Sequence, residues 1–308
     1  MTKKQISKFI FYSLGILIIV FLGKNLADNW REIKEFSLNV NIKLLCSSLI
    51  IYIIYLFCMA IGWNLILFSM KIKMPLNKAI IIFYLSQLAR YLPGGVMNLF
   101  GRVYLAQKVG IAKTVTVSSL ILEMFYNVSS GFILAIIFLK DLYNQNILLS
   151  IIGFVIILIF ILFLDLRVPN FLLNLLSKKL GNGYEINLKR KDAIGILLFY
   201  TLSWIIFGIA FVLFCNSLGV YGNMKILISI FPSSWIVGFL SPIPGGLGIR
   251  EGVLKYFLSF YYNFPIPIII SLASRIWLVV GEMVAGGFVL LMTSIERNIS
   301  KKAIKLRG

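Results

Sequence analysis

Long uncharged stretches alternate with short basic ones along this 308-residue chain. Residues 44–70 and 193–224 contain no charged side chain, and 147–164 is equally clean though shorter. Residues 9–23 are uncharged and framed by Lys8 and Lys24, whose long stems reach an interface. Residues 114–139 hold one charge, Glu123, and residues 267–295 hold two, Arg275 and Glu282. A bilayer core of about 30 Å takes roughly 20 apolar residues in a helix. The pattern therefore predicts an all-α polytopic membrane protein with about six full transmembrane helices.

Two further apolar segments are too short or too broken to cross cleanly. Residues 78–92 are closed by Pro93-Gly94-Gly95, and residues 224–240 by Ser241-Pro242 and Pro244-Gly245-Gly246. Proline cannot continue the helical ladder, and glycine permits the tight reversal. Broken helices in so apolar a chain mark backbone that lines a cavity inside the membrane. They are expected as two re-entrant half-helix segments. Gly95 precedes Glu123 by 28 residues and Gly246 precedes Arg275 by 29, so the chain reads as two similar halves. Three spans per half makes the repeat an inverted 3+3. Residues 1–308 then form a single membrane domain, with half one at about 1–142 and half two at about 143–308. The first glycine tip enters from the cytoplasm and the second from outside, to meet near the midplane.

Composition narrows the function. The chain is 60% hydrophobic, with mean hydropathy +0.95. Its longest polar stretches, 25–43 and 177–192, are below the size of an independent fold, so no enzyme carrying its own cytoplasmic catalytic domain is expected. The first span lacks a small-x-small cleavage site and reads as a retained signal-anchor. Cys46, Cys58 and Cys215 all fall in predicted spans as packing residues, and there is no histidine. Phosphate-binding loop, nucleophile elbow and metal-ligand spacings are all missing, which predicts neither cofactor nor metal. The sequon at Asn127 lies inside a span, where it is unusable.

The net charge of +19 bears on orientation. Segments 1–8, 71–113, 167–191 and 297–307 carry three, seven, six and five basic residues, against eight on the other side. That bias puts both termini in the cytoplasm. Contact with anionic lipid headgroups accounts for the basic loops, and no nucleic-acid partner is expected.

The costliest residues are the buried charges, since a charge at the bilayer centre costs about 2.5–3.5 kcal/mol even on insertion scales. Arg102, Arg250 and Arg275 are candidates to hold an anionic headgroup, with Gly94, Gly95, Gly245, Gly246 and Gly248 presenting backbone beside them. Arg90 either joins that cluster or reaches to the cytoplasmic face. Glu123 and Glu282 balance charge or carry a proton, and Glu251 either orients Arg250 or caps the following helix. Arg275 and Glu282, seven residues apart, are expected each to meet a partner from the other half. A static salt-bridge network, or surface turns whose arginines touch lipid phosphates, would use the same residues.

The run Ser241-Pro242-Ile243-Pro244-Gly245-Gly246-Leu247-Gly248-Ile249-Arg250-Glu251-Gly252 resembles the lysylphosphatidylglycerol synthase transmembrane-region family, a flippase-like membrane domain of bacteria and archaea. Arg90-Tyr91-Leu92-Pro93-Gly94-Gly95 and Gly101-Arg102 are similar to its first block. The resemblance implies a multi-pass protein of a bacterial or archaeal plasma membrane that moves a lipid between leaflets. The aminoacyl-transferase part is missing here, so lysyl-lipid synthesis is not implied. Membrane lipids of anionic-headgroup or polyprenyl-phosphate type are the implied partners, with a glycosyltransferase or lipid-modifying enzyme and a second copy of the chain as further ones. An ion-coupled carrier of a small anion, or a non-transporting partner of a glycosyltransferase, are the alternatives.

Overall fold

The computed structural model describes residues 40–89, 97–142, 188–241, 246 and 248–305, together with 170, 174 and 178. All regular structure among them is helical: α1 (Ile42–Ser69), α2 (Leu76–Leu88), α3 (Met97–Lys108), α4 (Lys113–Leu142), α5 (Arg190–Ser217), α6 (Met224–Leu240), α7 (Ile249–Leu258) and α8 (Ile266–Lys305). Four of these, α1, α4, α5 and α8, are long and apolar enough to cross a membrane. The spans expected at 9–23 and 147–164 lie outside the described residues.

Local chemistry sets the element ends. Asn41 accepts the Leu44 amide at 3.2 Å and so caps α1, while Asn223 accepts the Lys225 amide at 3.0 Å and caps α6. Asp192 lies in the first turn of α5, where a carboxylate suits the helix dipole. The uncharged run 193–224 is longer than its helix, because α5 stops at Ser217. Helix α2 has 13 residues, about 20 Å, well short of a bilayer core. Helix α6 has 17 and carries Pro232 inside it, a position that cannot donate to the ladder.

Among the described helices, α1 and α5 make the most extensive contact. They run antiparallel. The Asn41 amide donates to the Ser217 carbonyl at 2.8 Å, Tyr55 meets Phe207 at 5.0 Å between ring centroids, and Tyr200 packs directly on Gly62. Around this seam the packing partners of the two short helices match. Helix α2 packs on α1, α3 and α8, and α6 packs on α5, α7 and α4. Each short helix thus touches a long helix of its own neighbourhood and the last long helix of the other. Glycines let these helices approach: a Cβ at Gly208 would sit 2.6 Å from the Ile228 side chain, and one at Gly281 2.3 Å from the Tyr52 ring.

Aromatic rings fill the centre. Phe207 and Phe231 lie 4.4 Å apart, Tyr52 and Trp277 4.7 Å, and Phe214 and Trp277 5.0 Å. The tryptophans also bind helices through their N–H groups, Trp63 to Ser119 Oγ, Trp277 to Ser48 Oγ and Trp204 to the Asn127 carbonyl. The outer faces are apolar too. Ile50, Phe68, Leu202, Ile276 and Leu291 are all exposed, as a surface facing lipid rather than water requires.

Candidate functional site

The charged residues gather where each short helix pair meets its following long helix. On α3, Arg102 is 2% exposed and is held by several neighbours. Its Nε donates to Ser86 Oγ at 3.1 Å, and its terminal nitrogen forms an ion pair with Glu123 of α4. Its plane lies 4.3 Å over the Phe83 ring and 5.1 Å from that of Trp63. The Tyr200 hydroxyl is buried within electrostatic reach of this pair and has no hydrogen-bond partner among the described residues.

The second cluster begins at a turn in the left-handed region. Gly246 has φ of 61° and Gly248 of 81°. A Cβ at Gly246 would lie 2.7 Å from the Gly238 carbonyl oxygen, so the turn is pressed against α6 and only glycine fits. Gly248 then starts α7. Its amide donates to Glu251 Oε2 at 2.8 Å, one arm of a capping box whose other arm a glycine cannot supply. The other oxygen of Glu251 faces Arg275 of α8 at 3.4 Å, and the Glu251 carbonyl accepts from Ser271 Oγ at 2.7 Å. The Arg275 side chain keeps 32% of its surface exposed. Arg250, half-buried, lays its guanidinium 4.4 Å over Phe231.

The structure thus brings Arg102 to Glu123 and Glu251 to Arg275, with the charges exchanged between the two pairs. In the first the arginine is on the short helix; in the second it is on the long one. Arg275 was expected to meet the other half and instead meets Glu251, 24 positions before it. Glu282 does reach across, the Tyr52 hydroxyl of α1 pointing at it from 3.5 Å. Arg90, Gly94, Gly95 and Gly245 lie outside the described residues. Sequence reasoning did not reach Ser86, Phe83, Trp63 and Phe231, which hold the arginines. An aromatic or a serine in an apolar helix looks like any packing residue until its neighbour is placed. Asn127, on one face with Glu123, bonds the Met59 sulfur at 3.7 Å and sits mid-helix, in keeping with an unusable sequon. Among the described residues no three metal-ligating side chains converge.

These features define a multi-pass helical membrane protein with two arginine–glutamate pairs, one sealed and one partly exposed beside a glycine turn. The chain belongs to the lysylphosphatidylglycerol synthase TM region family, which it matches over residues 6–286. Membership ties it to membrane-lipid function at that level of detail. No curated protein and no solved structure matches the chain significantly.

Proposed function

We propose that this protein moves an anionic or phosphate-bearing lipid, or a lipid-linked precursor, between leaflets and makes no covalent change to it. One observation carries the reading: Arg275, inside a long apolar helix, keeps about a third of its side chain open beside the Gly246–Gly248 turn. An arginine so placed normally faces a partner or a hydrated path. A phosphate leaving water needs such compensation, because its charge is otherwise too costly to bury. The headgroup travels along this polar path while its chains stay in the bilayer.

The antiparallel pairing of α1 with α5, and the matching partners of α2 and α6, support an inverted architecture of two halves, 1–142 and 143–308, with α2 and α6 as re-entrant arms. The halves rock against each other to expose the headgroup to either leaflet. The setting is a plasma membrane with both termini cytoplasmic, and a lipid-modifying enzyme or glycosyltransferase is the partner that supplies or consumes the cargo.

The test is leaflet exchange in liposomes of labelled phosphatidylglycerol, phosphatidylcholine and polyprenyl phosphate. The native chain is expected to exchange the anionic lipids selectively, and Arg250→Ala to slow that exchange at least about tenfold, the scale of one lost charged contact. Absence of exchange for every lipid, in folded protein, would favour a carrier of a soluble anion or an accessory subunit.

A further inference from the structure

The two charge pairs occupy matching places but are not equally closed. Arg102 is satisfied through Nε, through its ion pair with Glu123 and across both ring faces, and its side chain is 3% exposed. Arg275 meets Glu251 through a single nitrogen at 3.4 Å, longer than the roughly 2.8 Å of a close charge-assisted bond. Among the described residues it has no second polar partner, and its exposed third is open to an approaching group. Glu251 is the opposite case. It is 6% exposed and holds two donors at once, the Gly248 amide and Arg275.

We propose that Glu251 is an internal substitute for the cargo's anion: its carboxylate neutralises Arg275 between transport events, and a phosphate group displaces it from that guanidinium. This rests on the translocation reading and adds its selectivity. A guanidinium offers a planar fork that a phosphate with two free oxygens engages bidentately, which the single contact to Glu251 does not. When displaced, Glu251 keeps the Gly248 amide, so neither partner is left bare in a medium where an unpaired charge is costly. The resting pair thus sets a threshold that weak or neutral headgroups do not pass. The Arg102–Glu123 pair, sealed from solvent and tied to Ser86, has no such exchange to make and serves as a fixed brace.

The experiment is a phosphorus NMR titration of sn-glycerol 1-phosphate against the full chain in detergent, for native protein, Glu251→Gln and Arg275→Gln. Glutamine still accepts from the Gly248 amide, so the cap and the fold persist, as an unchanged elution volume checks. Removing the competitor is expected to lower the half-saturating concentration about tenfold, within the usual range of coupling between two ligands, and Arg275→Gln to raise it by a similar factor. Unchanged or weaker binding by Glu251→Gln, or no binding by any of the three, would overturn the proposal. The soluble probe keeps the two ideas separate. If liposomes show no lipid exchange while Glu251→Gln still binds the probe more tightly, translocation fails and the competition stands.

Discussion

Arg102 shows what a charge inside a membrane helix bundle demands. Breaking a buried pair by removing one partner typically costs about 3–5 kcal/mol, because the survivor is left uncompensated, whereas replacing both by apolar groups is often neutral. Arg102→Ala should therefore lower the apparent melting temperature of the detergent-solubilised protein sharply, and Arg102→Met with Glu123→Leu should recover most of it. If the double variant is as unstable as the single, the pair's hydrogen bond to Ser86 matters more than its charge. The two turn glycines make a second contrast at this scale. An alanine at Gly248, with open space around its Cβ, should cost about 1–2 kcal/mol for the left-handed backbone alone. At Gly246 it must also push into the Gly238 carbonyl, so thermal unfolding of Gly246→Ala should come several degrees earlier.

At the scale of elements, the sequence made the helices legible and left their facing hidden. Residues 224–240 were delimited by charge and proline, and α6 spans Met224–Leu240. Residues 78–92 overlap α2, which runs Leu76–Leu88, while positions 90–92 lie outside the described residues. Buried charges were equally visible, because each stands out against apolar neighbours. Which charge meets which was not. Arg275 pairs within its own neighbourhood because Trp277 is tied to Ser48 and Ser271 to the Glu251 carbonyl, fixing the rotation of α8. Those bonds join residues 229 and 20 positions apart, and no local pattern encodes them. Glu251 was read as either cap or orienting group, and its carboxylate accepts the Gly248 amide at the start of α7.

The described helices are arranged around one antiparallel seam, α1 against α5, with a short helix pair and a long helix on each side. An inverted arrangement makes a topological prediction. Tyr221, exposed just before α6, and Asn77, exposed at the start of α2, should lie on opposite faces of the membrane. In whole cells, on a cysteine-free background, Tyr221→Cys should react with a membrane-impermeant maleimide and Asn77→Cys only after permeabilisation. Labelling of both from one side would rule the inversion out.

The 40 residues of α8 have a mechanical consequence. At 1.5 Å per residue the helix is about 60 Å long, twice the thickness of a hydrocarbon core of about 30 Å. Half of it must stand beyond that layer or lean steeply within it. A swing of about 10° in the part that carries Arg275 therefore displaces the far end by roughly 5 Å, as a lever arm does. A tilt at the partly exposed Arg275 is thus carried along the helix to its last turns, which hold the basic positions Arg297, Lys301, Lys302 and Lys305.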